Sequence, residues 1–344
     1  MKMHVSAAMA LRLRQLQIIH RHGDRTPLLN VFRGGAGTRA EQEEALLWER
    51  QLPGPEQLAH LREKYSVHLG GGVQASFQHR PFGYLTTTGI HQMTARGNRL
   101  LPLAGVAPSE VQIFSNTYTR TQLSAQALLS GLLRDQQQLK PPVSVFPPET
   151  DIINTYAAFP EIMDLKKELE RDNAEFAARE HEMAPCKQEL MRLLPVFDTG
   201  KVPFTWMAAT DYFVCRRAHQ VPYIPGTEVH GHATERHLGF RFHQMQKALW
   251  DHRERKKLVI YSGHDVSLLA VLRAIDAEIA DDIDWWPEYS SALALELLED
   301  ESGKYFVRAR LNGEILVMRE AAAGLCTSDH FRGIVADRIG KRAE

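Results

Sequence analysis

Three short apolar runs, Leu16 to Ile19, Val111 to Phe114 and Leu258 to Tyr261, each end abruptly in a polar turn. The first runs into Arg21-His22-Gly23-Asp24-Arg25-Thr26-Pro27, the second into Ser115-Asn116-Thr117 and the third into Ser262-Gly263-His264-Asp265. Apolar runs of this length bounded by turn residues read as buried strands. Helical spacing follows the second run, where Leu123, Ala127, Leu128 and Leu132 share a face and Ser115 or Asn116 offers an N-cap; Val266 to Ile275 repeats the pattern after the third. Strands alternating with helices specify an α/β sheet. Such sheets bind ligands in the crevice beyond the carboxyl ends of their strands, which is where all three polar turns are expected to meet.

Between about 150 and 255 the texture changes. Leu165 to Leu194 is rich in Glu, Lys and Arg and reads as helical, a Pro-punctuated stretch follows, and Thr234 to His252 is amphipathic. Strand character returns in Ala292 to Leu298 and Tyr305 to Leu311, separated by the hairpin signal Glu299-Asp300-Glu301-Ser302-Gly303. The expected architecture is a three-layer α/β core with a mostly parallel sheet, built from residues 1–150 and 256–344, with a helical cap inserted at 151–255. The 344 residues are ample for this. With 41 Lys and Arg against 42 Asp and Glu, there is no basic excess to point to nucleic acid, so any anion site has to be local. No run approaches the roughly 18 apolar residues of a membrane span, so no stable membrane insertion is expected. Cys186, Cys215 and Cys326 form no CxxC pair and no disulfide framework. They favour a reducing, cytoplasmic compartment. The basic N-terminal stretch MKMHVSAAMALRLR is too broken by Arg12 and Arg14 for a secretory signal, and a very short mitochondrial presequence is the alternative.

The first polar turn carries the chemistry. Arg21 and Arg25 place two guanidinium groups around one imidazole, in a loop that Gly23 permits to turn tightly and Pro27 stiffens. Packed close, the cations depress the pKa of His22 and keep it unprotonated, while their forked donors match the oxygens of a tetrahedral dianion. A neutral imidazole can attack phosphorus, and water can cleave the resulting P–N bond. Solvated arginines and a loop histidine are the ordinary reading of an Arg-His pair, and the sixteen histidines weaken any single one as a sign. The five fixed positions of RHGxRxP, however, would match a chain of this length by chance roughly once in ten thousand.

Arg21 to Pro27 resembles the signature of the histidine acid phosphatases, the second branch of the histidine phosphatase superfamily, whose core is phosphoglycerate mutase-like. Leu85-Thr86-Thr87-Thr88-Gly89-Ile90-His91-Gln92 is similar to the family's LTxxGxxQ segment, Phe114 to Ala125 to the segment with its third phosphate-binding arginine, and Ser262 to Asp265 to its distal His-Asp pair. Tyr305 to Gly313 resembles its closing strand and turn. The resemblance implies that His22 is the nucleophile, that Arg21, Arg25, Arg120 and His264 hold the phosphoryl oxygens, and that Asp265 is the proton donor. The competing structural readings are an acid set against a helix dipole for Asp265 and a solvated helix charge for Arg120. Because Asp265 has to be protonated when the leaving oxygen departs, activity is expected to fall as pH rises. No cofactor and no metal are implied, since arginines stand where many phosphatases place a divalent cation.

Other features carry less. Asp24, set between two arginines, is read as orienting them and left out of the chemistry. His230, His232 and His237 invite a metal reading but lack Cys or carboxylate partners at ligand spacing. Gly34-Gly35-Ala36-Gly37 lacks the Gly-Lys-Ser/Thr of a P-loop. His79-Arg80 offers one more cation to the pocket. Trp206, Trp285 and Trp286 read as packing. The stretches Leu128 to Leu132 and Arg217 to Pro222 are similar to the lysophosphatidic acid phosphatase subgroup, for which Phe204, Trp206, Tyr212, Phe213 and Tyr223 are candidate lining of an apolar channel. The expected ligand is a small phosphate monoester, with a lysophospholipid as the finer choice. The alternatives are a phytase or sugar-phosphate phosphatase, a mutase of the same superfamily, and a non-catalytic phospholigand-binding module.

Overall fold

The computed structural model describes residues 12–34, 38–70, 80–100, 110–133, 140–151, 153, 166–167, 170–245, 258–279, 285–318, 321 and 324–340. Nine strands form one sheet in the order β2-β4-β3-β5-β1-β6-β7-β8, with β9 also paired to β7. The strands are β1 (Arg12–Arg21), β2 (Val67–Leu69), β3 (Val111–Ser115), β4 (Val143–Val145), β5 (Leu258–Gly263), β6 (Ala292–Glu299), β7 (Tyr305–Leu311), β8 (Glu314–Leu316) and β9 (Leu325–Thr327). The five from β2 to β1 are mutually parallel, and β6 to β9 continue the sheet antiparallel. The expected apolar runs are the three central parallel strands. β5 lies between the other two, with Ile260 level with both Ile18 and Ile113.

The side-chain alternation of the strands divides the core. Leu16, Ile18, Ile113, Val143 and Ile260 face one cluster and Ile19, Leu293 and Ala309 the other. On the first face lie α2 (Pro55–Lys64), α3 (Thr87–Arg99) and α4 (Thr119–Leu132), which supply core residues, while α1 (Arg39–Glu49) turns Glu44 and Trp48 toward Arg216 and His219. The long α3–α4 contact runs through two glycines. A Cβ on Gly97 would stand 2.1 Å from the Leu128 carbonyl oxygen, and one on Gly131 would stand 2.1 Å from that of Thr94.

Helices occupy the stretch between β4 and β5. They are α5 (Ala174–Glu182), α6 (Ala184–Leu193), α7 (Pro195–Asp198), α8 (Trp206–Ala218) and α9 (Gly231–Met245). The helix expected over Leu165 to Leu194 is divided at Asn173, whose side chain caps α5 by accepting from the Phe176 amide, and again at Met183, because Pro185 has no N–H to continue that helix and suits the opening turn of the next. The last helix starts at Gly231, ahead of the expected Thr234, and its expected end at His252 lies outside the described residues, as do residues 1–11, Gly35 to Gly37 and His79. The aromatics considered as channel lining are the core of this insertion. Trp206, Tyr212 and Phe213 are buried in it, with Phe204 and Tyr223 packed alongside. The second face of the sheet is covered by α10 (Asp265–Ala274) and α11 (Ser328–Gly340). Among the described residues no helix is long and apolar enough to cross a membrane.

Candidate active site

Parallel pairing brings the three polar turns together. β1 and β3 both pair with β5, so the residues that follow Arg21, Ser115 and Gly263 emerge side by side at the same sheet edge. The His22 amide donates to the Gly263 carbonyl at 3.2 Å, and the His22 carbonyl accepts from the Ser290 amide at 3.2 Å.

The Leu85 to Gln92 segment holds this loop, and each of its motif positions has a task. Leu85 is buried and bridges Arg25, and Thr86 caps α3 through its hydroxyl while its amide donates to the Asp24 carbonyl at 3.0 Å. Gln92 Oε1 accepts from the Asp24 amide at 2.8 Å. Gly89 and Gly23 let the two backbones touch, since a Cβ on Gly89 would lie 2.2 Å from the Asp24 carbonyl oxygen and one on Gly23 would lie 2.5 Å from that of Gly89.

His22 Nδ1 lies 2.8 Å from the Gly23 carbonyl oxygen, an acceptor only, so Nδ1 carries the proton and donates. The Nε2 lone pair is thereby the nucleophilic end of the ring. The rings of His22 and His264 are 5.7 Å apart at their centroids and nearly perpendicular. Asn116 Oδ1 already accepts from the Tyr118 amide at 3.1 Å and the Thr121 hydroxyl at 2.5 Å, so its amide nitrogen faces the imidazole of His264 and donates to Nε2 at 2.6 Å. Arg21 bonds the Pro287 carbonyl at 2.8 Å, reaches Asp265 Oδ2 at 3.1 Å and stacks 4.1 Å over the ring of Tyr289. Arg120, in the first turn of α4, stacks 4.1 Å over Tyr118. Arg25 is gripped by Asp211 of α8 at 2.6 Å. The Nε–H groups of Arg21 and Arg25 are buried and have no acceptor among the described residues, so an anion within reach would be strongly favoured there.

The electrostatics follow from burial and this crowd of cations. Burial, then Arg120, Arg21, Arg25 and His264, hold the His22 pKa well below that of a free histidine. Burial, then Arg120, Arg25 and Arg21, do the same to His264. Burial and the adjacent Arg25 pull Arg120 down to about 9, which leaves it cationic at neutral and acidic pH. The centre therefore holds uncharged imidazoles amid cationic guanidiniums.

All six residues singled out for the site, Arg21, His22, Arg25, Arg120, His264 and Asp265, share this cluster. Asp24 departs from expectation. Its Oδ1 accepts from Thr86 at 2.5 Å and pairs with His219 Nε2 at 2.6 Å, in place of the expected pairing with Arg21 and Arg25. Arg80 is exposed and pairs with Glu49 rather than with the pocket. His237 is buried against Trp206 and bonds Glu180 at 2.9 Å, His232 is exposed and His230 half-buried; among the described residues no group of three or more potential ligands could hold a metal. Trp206 and Trp286 pack on the insertion core and Trp285 on the second sheet cluster, as expected. The expected N-cap of α4 is also displaced: the helix starts at Thr119 with Tyr118 before it, because the Asn116 side chain closes its own turn onto the Tyr118 amide. Asn116, Tyr118, Asp211 and Tyr289 escaped the sequence reading. Only Asn116 carried a signal, its position directly after a strand.

Parallel strands that deliver loop-borne histidines among convergent guanidiniums are the layout of an α/β phosphate-ester hydrolase, and the chain belongs to the histidine phosphatase superfamily (branch 2), whose family model matches residues 12–158 and 232–312. Among curated proteins it is similar to lysophosphatidic acid phosphatase type 6 of Bos taurus, at 24% identity over 95% of this chain and 83% of that protein. The corresponding protein of Homo sapiens is also 24% identical, over 93% and 82%. Among solved structures, the phytase of Citrobacter braakii superposes with a TM-score of 0.58 at 15% identity, covering 96% of this chain and 98% of that one. The apo phytase of Hafnia alvei gives 0.56 at 14%, covering 97% and 98%. These two likenesses are of fold.

Proposed function

We propose that the protein hydrolyses phosphate monoesters by double displacement, with His22 as nucleophile and Asp265 as proton donor. Nε2 of the neutral His22 attacks phosphorus as the ester P–O bond breaks, and the leaving oxygen takes the proton of Asp265. Arg21, Arg25, Arg120 and His264 bind the three non-bridging oxygens and offset the charge that develops on them. Water then gives a proton back to Asp265 and attacks phosphorus, forming a P–O bond as the P–Nε2 bond breaks, which releases orthophosphate and restores the imidazole. The observation that supports this most is a ring whose Nδ1–H is committed to Gly23 and whose other nitrogen lies uncharged among three guanidiniums.

For the substrate, we favour a monoester with an apolar leaving portion, such as lysophosphatidate. The arginines of the cup are backed by the half-buried rings of Tyr118 and Tyr289, and Arg80, the additional cation that a polyphosphorylated ligand would use, is paired elsewhere. The curated relatives named lysophosphatidic acid phosphatase support the same choice. Rapid-quench labelling tests the mechanism. Acid-labile, base-stable phosphate is expected on the wild-type protein and none on His22→Ala, while Asp265→Asn slows labelling from an alkyl ester by about 10²–10⁴-fold. Turnover surviving in His22→Ala would end the proposal. Faster turnover of inositol hexakisphosphate than of lysophosphatidate would overturn the substrate choice alone.

A further inference from the structure

Helix α8 presents one polar stripe to the catalytic loop. Asp211, Cys215 and His219 are spaced by four residues, so they stand above one another on a single face. Asp211 Oδ1 takes Arg25 Nη2 at 2.6 Å, and its Oδ2 accepts from the Leu28 amide at 2.6 Å. Cys215 Sγ lies 3.5 Å from the Arg25 carbonyl oxygen and 3.3 Å from the Tyr289 hydroxyl. His219 Nε2 lies 2.6 Å from Asp24 Oδ1, and its ring is edge-on to Trp48 at 5.3 Å. Asp24, Asp211 and Cys215 are buried, and the His219 side chain is only 5% exposed. The opposite side of the helix belongs to the insertion, with Ala209 and Phe213 in its core.

We propose that Asp211 and His219 are positioning residues of the phosphoryl-transfer step, holding Arg25 and the loop that carries His22 at the reactive distance. The inference rests on the function proposed above. Asp24 sits two residues from His22, and its carboxylate has two partners, Thr86, which caps α3, and His219, which follows α8. Removing His219 leaves a buried carboxylate underpaired in the loop whose placement sets the attack. A shift of about 1 Å in a reacting group is enough to lower a rate by about 10². Cys215, between the two, closes the stripe by filling space against the Arg25 backbone.

The test uses the full chain with p-nitrophenyl phosphate, the folded fraction of each variant being set by circular dichroism. His219→Ala is expected to lower kcat by about 10² with KM changed by no more than about threefold. His219→Gln, whose amide nitrogen can take the place of Nε2, is expected to recover most of the loss. Arg217→Ala, on the exposed side of the same helix, is expected to match the wild type. A kcat in His219→Ala within about threefold of wild type, or an equal loss in Arg217→Ala, overturns the positioning role. A wild-type protein without turnover would instead end the proposed function, and the positioning role is then read by calorimetry with orthophosphate. Asp211→Asn is expected to bind it about tenfold more weakly than Arg217→Ala does. Equal affinities overturn the inference.

Discussion

His22 and His264 are held uncharged by their surroundings, and a third histidine beneath them shares that condition. His20 is buried, its Nδ1 donates to the Arg21 carbonyl at 2.9 Å, and burial lowers its pKa to about 4. For a base whose folded pKa lies below its unfolded value of about 6.5, the unfolded chain binds protons that the native state refuses. Stability carried by these groups is therefore present above pH 6.5 and is lost as pH falls toward the native values. Each histidine contributes a slope of up to about 1.4 kcal/mol per pH unit within its window. Urea unfolding in phosphate-free buffer should show the midpoint falling from pH 7 to pH 4.5; a level midpoint would contradict the burial of neutral imidazoles. At this scale the sequence was most informative where side-chain chemistry is local, as in Arg21-His22-Gly23. It was silent about Asp211 and Tyr289, whose roles depend on which helix or loop the fold lays against the cup.

The α3–α4 pair shows how an element can be fixed by what is missing from it. With a Cβ on Gly131 only 2.1 Å from a facing carbonyl oxygen, neither helix can keep its place if a methyl is added. Gly131→Ala is expected to destabilise the fold by about 1–3 kcal/mol or more through overpacking, measured as a lowered urea midpoint, whereas Gly54→Ala, which meets nothing, should stay near wild type. Periodicity revealed that α4 was a helix but not which residue begins it, because Asn116 offered the cap chemistry and spent it on its own turn and on His264. The strand limits of β1 were similarly short in the sequence reading. Leu16 to Ile19 is the apolar part, and pairing with β6 carries the strand back to Arg12. The Pro185 break between α5 and α6 was written in the sequence but masked by the charged, helix-favouring residues around it.

Across the whole molecule, the site ties together residues 22, 120 and 264, so whatever binds there favours the assembled sheet. Orthophosphate at about 100 times its dissociation constant should stabilise the protein by about 2.7 kcal/mol, seen as a rise in Tm. Arg120→Ala should lose most of that rise; a rise equal to that of wild type would place the anion elsewhere. The layered α/β core was legible because helical spacing follows the second and third apolar runs. The interior of the insertion was not, since aromatic residues at 204–223 serve a core or a channel equally well until the packing is seen.

β5 is the middle strand of the three that deliver the cup, and it is also the last of them to be synthesised. A nascent chain on the ribosome can complete β1, α3, β3 and α4 while His22 and Arg120 still lack the strand that belongs between them. Until residues 258 to 265 have left the exit tunnel, such a chain carries the signature loop yet is inert, and a protein truncated before that point should be as silent as one without the histidine.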